Sequence, residues 1–213
     1  MPLGASRVEG NRPKYESFRY FLWKKLSENG YSFDFIGTNQ DNTKYPQVNN
    51  INFDRDHEGW SGWTSGDILN EIEGWLKKTG PPDIVLFSSP GGNDALENLP
   101  ISQTISNINN IIDVLKNSNP NIIILIEKMA PVHSDIMTSD LDSYIKKINK
   151  EIIKIEKNHF TKKSKIIVVN MSSGFKDEYL ADEVHYNEEG AKYIANQYYK
   201  VLSKIVSSKQ ERK

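Results

Sequence analysis

Cysteine is absent from this 213-residue chain, which excludes disulfide bonds, thiolate chemistry and cysteine-ligated metals. Net charge is nearly absent as well: 27 Lys and Arg stand against 28 Asp and Glu, giving a formal charge of −1. Such an interspersed balance leaves no electrostatic footprint for nucleic acid or an anionic membrane. No apolar run approaches the length of a membrane span, and no signal-like apolar segment precedes the domain. The basic stretches are short; Lys162-Lys163 and the tail Lys209 to Lys213 read as solvated surface and a frayed end. A single domain over residues 1–213 is expected, with about 207–213 as a frayed tail. Neither nucleic-acid binding nor membrane insertion is expected, and the oligomeric state is left open.

What is present alternates. From Lys14 to Asn29, Tyr15, Phe18, Leu22, Trp23 and Leu26 recur at helical spacing, and Asn29-Gly30 supplies a stop. Tyr31 to Gly37 alternates in the manner of a strand, and a polar loop then runs from about Asn39 to Ser61. A loop that long is commonly functional. Thr64 to Lys78 reads as a helix capped by Thr64 or Ser65 and ended by Gly80-Pro81-Pro82. The apolar runs Asp83 to Ser88, Ile122 to Ile126 and Ile166 to Val169 suit strands buried on both faces. Helices are expected over Ile101 to Asn117, Ser139 or Asp140 to Lys157, and Glu188 to Val206. With Met1 to Leu3 as the first strand, the order predicts an α/β fold: a parallel five-stranded sheet between two helix layers, with its site at the carboxyl ends of the strands.

Four polar motifs fall at those ends: Gly4-Ala5-Ser6, Ser61-Gly62-Trp63-Thr64, Gly91-Gly92-Asn93-Asp94 and Asp182-Glu183-Val184-His185. Alone, Ser6 reads as a cap or turn and Asn93-Asp94 as a turn, Gly62 says almost nothing, and Asp182 with His185 reads as a local polar contact. Together they supply a hydroxyl, amide donors, and a carboxylate three residues before an imidazole, the parts that an activated serine needs. The serine lies so near the first residue that the lead is shorter than an ordinary strand of about five or six residues. The expectation is secretion if a leader has been removed, and the cytoplasm otherwise.

In these residues and their order the chain resembles an SGNH hydrolase of the wider GDSL esterase and lipase family. The resemblance implies a three-layer α/β/α sandwich of flavodoxin-like topology, with no cofactor and no metal. It also implies a nucleophile at Ser6, a base at His185 oriented by Asp182, and an oxyanion hole from Ser6, Gly62 and Asn93. The usual Gly-Asp-Ser stands here as Gly-Ala-Ser, so the carboxylate beside the nucleophile is missing. The stretch Asp56 to Thr64 is similar to the second block of bacterial carbohydrate acetylesterases. It implies a small-molecule or polysaccharide ester of acetyl or another short acyl group as substrate.

Arg7, Trp60, Trp63 and His133 are the candidate substrate contacts, and Glu9 lies close enough in sequence to join them. His57 with Asp54, Asp56 and Glu58 has neither calcium-loop nor zinc-helix spacing and reads as a hydrogen-bonded loop. His159 reads as a helix cap or surface residue. Three other readings stay open: a lysophospholipase or thioesterase, an acyltransferase, and a binding protein with weakened turnover, which Ala5 motivates.

Overall fold

The structure, a computed structural model, describes residues 1–159 and 163–210, with side chains as far as 206. Lys162 and the last three residues of the expected tail lie outside the described residues. The strands are β1 (Pro2–Gly4), β2 (Asn39–Gln40), β3 (Asp56–Gly59), β4 (Ile84–Phe87), β5 (Ile123–Lys128) and β6 (Lys165–Asn170). The helices are α1 (Ser6–Glu9), α2 (Phe18–Glu28), α3 (Ser65–Thr79), α4 (Gly92–Leu96), α5 (Ile101–Ser118), α6 (Ser139–Asn158) and α7 (Glu188–Gln210).

The six strands are ordered β2-β3-β1-β4-β5-β6. Five of them are parallel, and β2 pairs antiparallel at the edge with β3, Asn39 opposite His57. Successive strand residues face opposite layers. Val85, Phe87, Ile124 and Ile126 pack with α3, α5 and α6, while Leu86, Ile123 and Leu125 pack with α2 and α7. This is the expected three-layer α/β sandwich, with a short sixth strand added to the parallel five.

Helix boundaries follow local chemistry. Thr64 caps α3 in a full capping box with Asp67, and Gly80 follows its last turn. Thr138 caps α6 through the Leu141 amide.

One expected element is absent: residues 31–37 form no strand. The Phe35 and Thr38 amides donate to the Asp54 and Glu58 carboxylates, at 2.6 Å each, instead of to a backbone ladder. Gly37 lies so close that a Cβ there would stand 2.2 Å from the His57 carbonyl group. The second parallel strand is β3, from within the expected polar loop. His57 and Glu58 in it are both fully buried.

In sequence order among the parallel strands, β1 has β3 on one side and β4 on the other. The reversal of strand order therefore falls beside β1, where a ligand crevice opens at the carboxyl ends.

Candidate active site

Gly4 ends β1 against the next strand's exit: a Cβ there would lie 2.7 Å from the Ser88 carbonyl oxygen and 2.9 Å from Val8 Cγ2. This close approach turns the chain directly into α1, whose first residue is Ser6. A helix of 4 residues is marginal by itself, and buried side chains hold its far end. Ser17 Oγ and Arg19 Nε donate to the Val8 carbonyl at 2.6 and 2.7 Å. Arg19 Nη2 reaches the Glu9 carbonyl at 2.8 Å and Asp41 at 2.9 Å. Ala5 contributes a carbonyl that accepts from Val8 and Glu9, so the turn closes without a side-chain carboxylate at that position.

Ser6 Oγ stands 2.9 Å from His185 Nε2, and His185 Nδ1 stands 2.8 Å from Asp182 Oδ2. The three-residue spacing works because Asp182 Oδ1 accepts the amides of Val184 and His185, at 2.9 and 2.7 Å, leaving Oδ2 for the ring. Partial burial opposes ionisation of Asp182, but those amides and the His185 ring outweigh it and hold its pKa below the usual carboxylate range.

The first amide of α1 has no intrahelical acceptor. Neither the Ser6 amide nor the Gly62 amide donates to an acceptor among the described residues. Gly62 adopts φ +80° with open space where a Cβ would be, so the left-handed turn is what demands glycine there. Asn93 Nδ2 spends one hydrogen on the Trp63 carbonyl at 2.8 Å and keeps the other. Ser6, Gly62, Asn93 and His185 line one cavity of about 340 Å³. Its apolar side is built from Leu96, Met129, Val132, Leu141 and Ile145.

The GDSL-like Lipase/Acylhydrolase family model matches residues 26–193, beginning downstream of Ser6. The chain belongs to this acylhydrolase family. Among solved structures it is similar to an acetyl esterase mutant with an acetate ion, at 29% identity and TM-score 0.82, covering 98% of this chain and 97% of the other. A carbohydrate esterase of family 3 from Talaromyces cellulolyticus matches at 29% identity and TM-score 0.83, with the same coverages. A family 3 carbohydrate esterase from Clostridium thermocellum gives 29%, 0.77, and coverages of 98% and 96%. No curated protein sequence matches. The protein is a carboxylic ester hydrolase, and among its described residues no helix is long and apolar enough to cross a membrane.

The acylhydrolase places its candidate substrate contacts unequally. Arg7 lines the cavity, but its donors go to Val184, Ala130 and Pro131 carbonyls at 2.8, 2.9 and 3.0 Å and to Ser89 Oγ at 3.3 Å. It tethers the His185 loop to the ends of β4 and β5. Trp60 and Trp63 are not among the lining residues; they stack on each other and on Trp75 beneath the Gly62 turn. His133 is also outside the lining, its ring accepting from Asp135 while its amide braces Glu183. Glu9 holds the Ser61 amide at 2.7 Å and also takes the Ser61 hydroxyl.

In the cluster around His57, Asp54 and Glu58 serve the amides named above and Asp56 takes the Gln40 side chain at 2.5 Å. His57 Nδ1 accepts from the Gly59 amide at 2.9 Å. His159 ends α6 as its C-cap.

Several residues of this hydrolase gave no sequence signal for the roles they play. Tyr15 read as part of a helix, yet it lies flat on His185, with ring centroids 3.9 Å apart and planes at 12°. Asp94, buried, binds the Ser65 amide and hydroxyl at 2.8 and 2.5 Å and Thr104 at 3.0 Å, locking α4 to the start of α3. Ser89 has a left-handed φ of 45° and donates its amide to Glu127 at 2.8 Å. Burial pushes the Glu127 carboxyl up. Only the positive φ of a serine between apolar strand and glycines hints at such a site, and that is invisible before the fold is known.

Proposed function

We propose that the protein is a serine esterase that removes acetyl groups from carbohydrate through Ser6, His185 and Asp182. The reading rests on one observation above all: the unbroken chain of contacts at 2.8 and 2.9 Å from Asp182 through His185 to Ser6, facing unpaired amides across the cavity. Ser6 Oγ attacks the acetyl carbonyl carbon as His185 Nε2 takes its proton, and Asp182 holds the imidazolium. The oxyanion lies among the Ser6 amide, the Gly62 amide and Asn93 Nδ2, donors fixed before the reaction begins. As the intermediate collapses, the bond from the acyl carbon to the sugar oxygen breaks and His185 gives its proton to that oxygen, which leaves as a hydroxyl. His185 then deprotonates water, which attacks the acyl-serine carbonyl, and as the bond to Ser6 Oγ breaks His185 passes that proton to Oγ, releasing acetate and free Ser6. The apolar wall from Leu96 to Ile145 supplies the surface for the acyl methyl group.

The acetyl and carbohydrate parts of the reading draw on what the three structures at 29% identity are named for. The test is hydrolysis of p-nitrophenyl acetate, butyrate and octanoate, followed by acetylated xylooligosaccharides, with Ser6→Ala beside the parent. Acetate is expected to be the best of the three esters, and Ser6→Ala to lose at least about 10⁴-fold in kcat. Preference for octanoate would transfer the reading to lipid or thioester substrates. Persistence of activity in Ser6→Ala would remove Ser6 as nucleophile.

A further inference from the structure

Beside the acyl cavity lies a second concavity of about 420 Å³, on the α6 side of the strand ends. Met129 and Ile145 line both, so the two spaces share a wall. The second carries three lysines, Lys128, Lys146 and Lys150, against one acid, Asp142. Asp142 is committed to Lys146 at 2.6 Å. Among the described residues neither Lys128 nor Lys150 forms an ion pair or donates a side-chain hydrogen bond.

The groove also contains a fixed donor. Asn149, 8% exposed, accepts the Met129 amide on Oδ1 at 2.9 Å. That bond settles which end of the carboxamide is oxygen and orients Nδ2, which donates to no acceptor among the described residues. Met137 and Ile153, the latter 38% exposed, supply apolar surface against which a sugar ring can lie.

We propose that this groove binds a uronic acid unit of the chain being deacetylated, its carboxylate taken by Asn149 Nδ2, Lys128 and Lys150. The substrate class is then an acidic, O-acetylated polysaccharide, with the acetyl group in the Ser6 cavity and the anionic sugar across the wall of Met129 and Ile145. The inference rests on the carbohydrate esterase reading above. An excess of unpaired ammonium groups in a concave, partly apolar surface raises the local concentration of anionic ligand and selects it over a neutral analogue.

The test compares two forms of one O-acetylated oligogalacturonide, the free acid and its carboxyl methyl ester, which carry the same acetyl groups and differ only in charge. The acid is expected to show about tenfold higher kcat/KM at low salt, a factor that two exposed ion pairs and one oriented amide supply together. The difference is expected in KM and to shrink as salt shortens the screening length. In the double variant Lys128→Ala/Lys150→Ala the acid is expected to fall to the level of the ester. Equal kcat/KM for the two forms in the parent protein overturns the inference and leaves the carbohydrate reading standing, as does a preference that survives in the double variant. If neither galacturonide is deacetylated while acetylated xylooligosaccharides are, the inference is overturned and the carbohydrate reading stands; if p-nitrophenyl acetate is hydrolysed and none of these saccharides is deacetylated, the carbohydrate reading fails and the inference falls with it.

Discussion

The two sides of the acyl cavity are held in different ways. The donor side, carrying Ser6, Gly62 and Asn93, is fastened by carboxylates and a guanidinium that are mostly buried: Asp94 on Ser65, Glu9 on Ser61, Arg19 on the carbonyls of Val8 and Glu9. The base side is a surface loop. Asp182 is 39% exposed at its side chain, and the loop is held by the Arg7 bond to the Val184 carbonyl, the His133 amide on the Glu183 carbonyl and the Tyr15 ring stacked on His185. The difference follows the chemistry assigned to each side. Oxyanion donors act best when they need no reorganisation, whereas in the proposed mechanism His185 exchanges a proton in both directions and tolerates solvent on Asp182.

Substitutions can break this contrast in order of severity. Asp182→Asn leaves the loop geometry but presents an amide to His185 Nδ1, favouring the wrong tautomer; kcat on p-nitrophenyl acetate is expected to fall about 10⁴-fold with KM little changed. On the donor side, Asn93→Ala removes one of the three proposed oxyanion donors. A loss of about 10²- to 10³-fold in kcat is expected, again with the ester's KM nearly constant.

Arg7→Lys tests the tether. A lysine has three donors on one atom and cannot span the Val184, Ala130 and Pro131 carbonyls from a planar fork. The expected loss is about 10- to 100-fold, in kcat rather than KM, because the base is displaced while the cavity remains. Equal kcat in Arg7→Lys and the parent would show that the His185 loop does not depend on this guanidinium.

The smallest effect concerns stability and sharpens the contrast from behind the donor side. Burial, aided by Arg19, pushes His57 down to about 2. The native protein therefore keeps His57 neutral while the unfolded chain protonates it near its ordinary value of about 6.5. The stability from this group is present above pH 6.5 and is lost as pH falls from there toward about 2. One differential proton gives a slope of about 1.4 kcal/mol per pH unit. Urea unfolding at pH 7 and pH 5 is expected to show His57→Asn losing about 2 kcal/mol less than the parent over that interval, because the unfolded histidine protonates fully only below 6.5.

Much of this arrangement was legible in the chain. The apolar runs of β4, β5 and β6 and the helical periods of α3, α5, α6 and α7 mark elements whose fate is set by burial, so their hydrophobic pattern gives them away. The segment from Tyr31 to Gly59 was misread because its order depends on carboxylates. Asp54 and Glu58 take amides that a strand at residues 31–37 would have offered to a neighbour, and β3 is written Asp-His-Glu-Gly, a sequence with no strand pattern. The four motifs around Ser6, Gly62, Asn93 and His185 could be placed at strand ends from their order. Arg7 and Asp94 could not be assigned their tethering roles, since a charged side chain beside a motif looks the same in sequence whether it meets a substrate or a distant carbonyl. Tyr15 fitted a helical period by its spacing, while the chain there is still an extended approach to α2 that brings its ring over His185.

The stacked tryptophans have an optical consequence. Trp60, Trp63 and Trp75 are three of the four indoles in the chain, and their rings lie 5.1 to 6.0 Å apart with interplanar angles of 4° to 24°. Chromophores so close and so nearly parallel share their excitation, and two of them flank the turn at Gly62. Near-ultraviolet circular dichroism of this protein is therefore expected to carry a signal from the turn at Gly62, and a change there to register in it even when every helix is intact.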